Sequence, residues 1–190
     1  MTWNDKEGFE GNPLGFPFQI DPLTPSAARA AEPALIEILR DAVDSGASVG
    51  FLPPLRTETA SAYWRGVFAG LDKAALVLLV ARRPADGAIV GTAQLEPSAK
   101  ENGRHRAEVA KLLVHRRARR RGVGAELMRA AEEAARAAGR TLLVLDTATG
   151  SDAERLYQRL GWTRVGVIPD YALWPDGRPC ATTYYYKRLT

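Results

Sequence analysis

This sequence predicts an α/β protein: a mixed sheet with helices on both faces. Short, continuously apolar runs at residues 75–80 and 142–145 fit strands covered on both sides. Before the first such run, apolar residues recur at helical spacing, as at Ala30, Ala34, Leu35, Ile38, Leu39 and Ala42. The third observation is a hand-over from strand to helix. Residues 109–114 read as a strand, His115 opens a basic turn that ends at Arg121, and Gly122-Val123-Gly124-Ala125 leads into an alanine-rich helix with no breaker before Gly139.

Taken in order, residues 1–16 mix Gly, Pro, Asn and charge without a period and are expected to form a loosely packed extension. One domain is expected over 17–190. Residues 16–20, aromatic and flanked by proline, suggest an edge strand. One helix is expected from Pro25 to Val43, then a loop over 46–54, then a second helix over 57–71 with Tyr63, Trp64, Val67 and Phe68 on its apolar side. Strands follow at 75–80 and 88–95, joined through an Asp86-Gly87 turn. After the central strand, a third helix over 123–137 sets Val123, Leu127, Ala130, Ala131 and Ala134 on one face, with Glu132 and Arg136 pairing on the other. A buried strand ends at Asp146. Ser151 and Glu154 are spaced as a capping box for a short helix that stops at Gly161. Residues 162–167 and 182–187 alternate as strands, joined by a turn-rich excursion at 175–178.

The hand-over at Gly122 has a chemical use. Glycine lets the backbone approach a ligand, and the first turn of a helix presents N–H groups with no internal partner. Those donors and the positive end of the helix dipole form a phosphate site, with Arg119, Arg120 and Arg121 at its lip. Neither Gly-x-x-x-x-Gly-Lys-Ser/Thr nor the dinucleotide pattern Gly-x-Gly-x-x-Gly with its acidic partner is present, which turns the reading away from nucleotide folds.

Composition narrows the class further. The net charge is +4 and the pI near 9.4, but the excess sits in residues 116–121, one loop rather than a stripe with interleaved aromatics. That pattern suits a small anionic cofactor better than nucleic acid. The longest apolar run, 74–81, is too short for a bilayer, and no secretion signal is visible at the N-terminus. One cysteine, Cys180, allows no internal disulfide and fits a reducing cytoplasm. It has no histidine beside it in sequence and reads as a small semi-buried residue rather than a nucleophile. Two lone histidines, His105 and His115, make no metal site; His115 is expected in solvent or near cofactor phosphate.

The residues Arg119-x-x-Gly122-x-Gly124, preceded by Leu112-Leu113-Val114, resemble the acyl-CoA signature Gln/Arg-x-x-Gly-x-Gly/Ala of the GNAT superfamily of N-acetyltransferases. A second block, Ala153-x-x-Leu156-Tyr157-x-x-x-Gly161-Trp162, resembles that superfamily's Ala-x-x-Leu-Tyr-x-x-x-Gly-Phe segment. Residues 46–51, 106–112, 145–147, 163–166 and 175–178 look like the tabtoxin-resistance group of these enzymes. The resemblance implies a GNAT fold: a mostly antiparallel sheet of six to seven strands with a splay between the fourth and fifth. It implies direct transfer of acetyl from acetyl-CoA to an amine of a small molecule, a tabtoxin-like amino acid or β-lactam, by a monomer or homodimer. A protein or peptide acetyltransferase and a non-catalytic acyl-CoA sensor are the alternatives. Leu112, Leu113, Val114, Arg119, Arg120, Arg121, Gly122, Val123, Gly124 and Ala125 would hold the coenzyme. Gly150 stands where many members carry a CoA-contacting asparagine, which passes that contact to Ser151 or a backbone group.

An amine must lose a proton before it attacks a thioester, and the departing thiolate must gain one. Glu108, in the block shared with the tabtoxin-resistance group, is the first candidate base. Asp146 either anchors the substrate ammonium or shares the base role, and Tyr157 matches the family's general acid. A backbone N–H near Leu113 or Val114 is the expected oxyanion donor. Among the aromatics, Phe51 and Tyr171, read as loop residues, are the preferred acceptor-site walls.

Overall fold

The computed structural model describes residues 18–189. The expected extension at 1–16, and the first residues of the expected edge strand, lie outside that range. The observed edge strand is β1 (Gln19–Pro22). The helix expected from Pro25 to Val43 is instead two, α1 (Pro25–Ala30) and α2 (Glu32–Asp44), which share Ala31 as a cap. Pro33 explains the break: it has no N–H to donate to the preceding turn, and it is favoured in the first turn of a new helix. Helix α3 (Thr57–Asp72) follows.

Then come β2 (Val77–Arg82), β3 (Ile89–Pro97), β4 (Arg106–Val114), α4 (Val123–Ala137), β5 (Leu142–Ala148), α5 (Asp152–Arg159), β6 (Thr163–Leu173) and β7 (Pro179–Arg188). They form a seven-stranded sheet in the order β1-β2-β3-β4-β5-β7-β6. Every pairing is antiparallel except β4 with β5. Helix α4 covers one face over a core that includes Ala107, Val109, Leu127, Met128, Leu143, Leu145, Tyr157 and Tyr185. Helices α1 to α3 cover the other, with Leu35, Leu39, Trp64 and Phe68 packed on Leu78, Val80 and Leu113.

Three boundaries differ from expectation in ways that matter to the site. Strand β4 starts at Arg106, so Glu108 lies inside it rather than at its entrance. Strand β5 continues two residues beyond Asp146, to Ala148. Strand β6 runs on to Leu173, so only a tight turn, with Trp174 N–H donating to Arg178 O at 2.8 Å, separates it from β7. Within the added length Pro169 and Asp170 form a bulge, with Asp170 at φ 51 and the register shifting between Ile168 and Ala172. An edge strand tolerates proline because one side of its backbone has no ladder to feed.

Glu132 also departs from its expected solvent-facing role. It is buried, and both its oxygens accept from Lys187 Nζ, at 2.7 and 2.8 Å, while Arg136 stands 3.9 Å away. The ammonium donates a further bond to Leu160 O at 2.7 Å, so the buried charge is paired and hydrogen-bonded.

Candidate active site

The site lies where β4 and β5 part. They pair in parallel only over Arg106–Leu142, Ala107–Leu143 and Glu108–Val144, and no pairing follows. The parting has a local cause on β4. Lys111 adopts φ 50, and between Ala110 and Leu113 the strand carries one more residue than β3 does opposite. Such a bulge bends the strand and reverses which residues face which side. Before it, Ala107 and Val109 face α4; after it, Leu112 and Val114 do, while Leu113 turns into the α1–α3 core. Thr92 Oγ1 fixes the bulge by donating to Lys111 O at 3.1 Å. Beyond Glu108, the edge of β4 that faces β5 is left without a strand partner.

At the end of β4 the chain turns into α4. Gly122 is the N-cap, at φ 84, and no side chain caps the helix. Ala125 and Glu126 N–H groups return to Gly122 O, at 2.9 and 3.2 Å, which leaves the amides of Val123 and Gly124 for a ligand. Arg120 also takes the left-handed region, at φ 58, so the turn curls its amides inward. Gly124 serves packing as well as approach. A Cβ there would sit 3.2 Å from Leu156 Cδ2, so its absence lets α5 lie against the first turn of α4.

The arginines are not all free lip residues. Asp41 on α2 is 6% exposed and anchors the basic turn: its Oδ2 accepts from Arg116 N–H at 2.8 Å, and its Oδ1 accepts from the Arg116 guanidinium. Arg119 stands 3.7 Å from the same carboxylate and donates Nε to Val114 O at 2.9 Å. Arg121 lies over the Phe18 ring at 5.3 Å. His115 accepts from Arg117 N–H through Nδ1 at 3.1 Å and points Nε2 toward Asp41 at 3.7 Å, so its role in the turn is structural. Sequence reasoning missed Asp41 because a lone acidic residue on a helix carries no local sign of a partner 75 positions away.

The opposite side of the parting is acidic. Glu96 faces Glu108 across the β3–β4 ladder, Glu108 faces Val144 across β4–β5, and Asp146 faces Tyr184 across β5–β7. Directly opposed residues share a face, so the three carboxylates and Tyr184 line one surface, away from α4. Burial first, then the charges of Glu96 and Asp146, push the Glu108 carboxyl above its ordinary value, while Arg106 and Lys111 pull it down. Asp146 accepts from Thr182 Oγ1 at 3.3 Å. Glu96 and Glu108 line a pocket of about 220 Å³ with Pro97, Ser98 and Arg106.

Aromatic pairs flank this surface. Phe51 packs edge-on to Tyr63 with ring centroids 5.4 Å apart, and Tyr63 accepts from the buried Gln94 amide at 2.8 Å. On the far side Tyr184 donates to Tyr171 at 2.9 Å, a bond that, with burial, pushes the Tyr184 hydroxyl up to about 12. Tyr171 is in strand β6, not in a loop. Trp64 and Trp162 are core residues, 0% and 4% exposed. The loop after α2 reaches over the surface: Ser48 Oγ donates to Leu173 O at 2.9 Å, and a Cβ on Gly50 would lie 3.8 Å from Lys111 Nζ.

Tyr157 stands on α5, 5% exposed, against Trp162 and Tyr185 with centroids 6.1 and 5.8 Å away. Burial, then the charge of Asp146, raises its hydroxyl pKa above the ordinary value. Ser151 is the N-cap of α5 but does not cap with its side chain; its Oγ is 3.3 Å from Thr147 Oγ1. Glu154 accepts from Gly150 N–H at 2.6 Å, one residue before the amide that a capping box uses. Cys180 is buried, 1% exposed, with Sγ donating to Ala181 O at 3.4 Å.

Known proteins share this fold. The sequence profile of the acetyltransferase (GNAT) family matches residues 37–162. An uncharacterized N-acetyltransferase from the hisH–hisA intergenic region of Azospirillum brasilense is 36% identical over 114 residues, 59% of this chain, and the match spans 65% of that relative's length. A ribosomal-protein-alanine N-acetyltransferase from Brucella melitensis superposes with a TM-score of 0.73 at 25% identity, over 90% of this chain and 99% of its own. A phosphinothricin acetyltransferase from Sinorhizobium meliloti, solved with acetyl-CoA, gives 0.74 at 19% identity, over 91% of this chain and 89% of its own. With two thirds of its length matched by one profile and its whole described fold shared with such structures, the chain belongs to the acetyltransferase (GNAT) family, whose cosubstrate is acetyl-CoA.

Proposed function

We propose that this protein transfers acetyl directly from acetyl-CoA to an amine of a small, amino-acid-like molecule held on the Glu108–Asp146 surface. The diphosphate rests on the Val123 and Gly124 amides with Arg119, Arg120 and Arg121 beside it, and Ala125 and Ser151 complete the contact. The pantetheine arm runs along the unpaired edge of β4 at Leu112, Leu113 and Val114. Glu108 takes the ammonium proton, with Asp146 holding the acceptor. The freed amine attacks the thioester carbon; a C–N bond forms and the C–S bond breaks. Tyr157 passes its proton to the departing thiolate and is restored, through solvent, by the second proton that the new amide nitrogen sheds. An amide near Leu113 holds the oxyanion between attack and C–S cleavage.

One observation carries the preference for a small acceptor: the loop at 46–54 spans the acidic surface from Lys111 on β4 to Leu173 on β6. A loop reaching across the surface between Phe51–Tyr63 and Tyr171–Tyr184 suits a compact amine and hinders a folded protein. The likeness to the tabtoxin-resistance group supports an amino-acid acceptor of that toxin or β-lactam kind. The likeness to a ribosomal-protein-alanine acetyltransferase favours a second reading, a peptide N-terminus.

The test is release of the CoA thiol from acetyl-CoA in the presence of free amino acids, a tabtoxin-like dipeptide, β-lactam amines and alanine-initiated peptides. Turnover of the free amino acids, the dipeptide or the β-lactam amines, and not of longer peptides, is expected. Turnover of peptides alone replaces this reading with the second, and acetyl-CoA binding without any turnover replaces both with a sensor.

A further inference from the structure

We propose that Glu96, to which no role has been given above, is a positioning residue for the reaction: facing Glu108 from the neighbouring strand, it makes Glu108 the carboxylate that accepts the amine's proton. The inference rests on Glu108 being the base.

The geometry is unusual for a sheet. Glu96 and Glu108 are direct cross-strand partners on one face, and like charges so placed repel across about 5 Å between Cβ atoms. Neither carboxylate has a salt bridge within 4.0 Å among the described residues, although both line one pocket with Arg106. The nearby cations offset this repulsion only in part: Arg106 shares the pocket without a salt bridge, and Lys111 Nζ lies over the Tyr63 ring at 5.7 Å. The remaining groups add negative charge or none. The charge of Asp146 on β5 reaches Glu108, Tyr184 on β7 feels both of those carboxylates, and Tyr63 on α3 feels Glu96.

A carboxylate whose neighbours repel its charge holds a proton more readily. Repulsion by Glu96 acts in the same direction as burial, and together with Asp146 it raises Glu108 above the ordinary carboxyl value. A base matched to a cationic amine gains from that rise, because a carboxylate of ordinary acidity is too weak to take the proton. Glu96 is exposed and on the β3 side of the pocket, so it can exert this field without occupying the place of an acceptor held between Glu108 and Asp146.

Titration of the Glu108 carboxyl carbon by NMR in the full chain tests the field without any acceptor. Replacing Glu96 with Gln should lower the Glu108 midpoint by about half a pH unit to one, as expected for a unit charge at this range in a largely aqueous setting. The Glu96→Asp variant should keep the wild-type midpoint, and about 1 M salt should shrink the difference, since the screening length is then about 3 Å. The acid limb of kcat/KM, measured with the fastest amine from the panel above, should move with the midpoint. An unmoved midpoint and limb in Glu96→Gln overturn the proposal while leaving Glu108 as base. Full activity in Glu108→Gln overturns the assignment of the base, and the role of Glu96 falls with it whatever the titration shows.

Discussion

At Tyr157 a phenol is kept protonated by its surroundings: burial and the nearby Asp146 charge both oppose ionisation. It is therefore an acid across the working range. Tyr157→Phe is expected to lower kcat by roughly 10²-fold, to leave the KM for acetyl-CoA near its wild-type value, and to leave Tm unchanged, because its ring packing on Trp162 and Tyr185 survives. A wild-type kcat in that variant would remove Tyr157 from the chemistry. Glu108 makes the opposite kind of prediction, in stability. Its folded pKa is raised, so the folded state holds its proton to higher pH than the unfolded chain does. Stability then falls as pH rises from the ordinary value of 4.5 through the folded value, the reverse of a salt-bridged carboxylate. Glu108→Gln should accordingly melt higher than wild type at pH 7 and no higher at pH 4. Equal gains at both would show that the residue does not titrate in this way.

At the scale of elements, the basic turn and α4 act as one unit because Asp41 on α2 holds the turn from beneath. Asp41→Ala leaves the Arg116 amide without its acceptor, and a loss of about 1–3 kcal/mol is expected, read as a lower denaturation midpoint together with a raised Kd for acetyl-CoA. A stable variant with unaltered affinity would show that the turn holds its shape unaided. Gly122 tests the other end of the same unit. Its φ of 84 is a left-handed position, and a Cβ there costs about 1–2 kcal/mol. Gly122→Ala should weaken acetyl-CoA binding more than it weakens the fold, since relaxing the strain turns the Val123 and Gly124 amides away. The glycine spacing was readable from sequence, but Gly124 owes its place also to Leu156, a contact from another helix.

For the whole molecule, the coenzyme is expected to fill the gap between two strands that the apo sheet leaves unpaired. Acetyl-CoA at 100 times its Kd should stabilise the fold by about 2.7 kcal/mol, which corresponds to roughly 5–10 °C in Tm for a chain of this size. Amide exchange should slow most at residues 109–114 and 122–125, where β4 loses its partner and α4 begins. Protection spread evenly over the sheet would argue against that site. No helix among the described residues is long and apolar enough to cross a membrane.

Local chemistry was enough to announce the fold class, the glycine turn and the family likeness. The period of apolar residues, the phosphate-binding capacity of an uncapped helix start and the Leu156-Tyr157 block are all written within short windows of chain. Even there, Pro33 split a helix that periodicity alone ran together, and the strand read over 162–167 runs on through a bulge at Pro169-Asp170 to Leu173. The remainder was decided in three dimensions. Nothing near Glu96, Asp41 or Lys111 in sequence tells that one faces Glu108, one pins the basic turn and one bulges the central strand. Each effect arises between residues brought together by strand register or by a helix laid across a loop. Short-range spacing encodes which element forms, whereas electric fields and shared pockets depend on distances that exist only after the sheet has assembled.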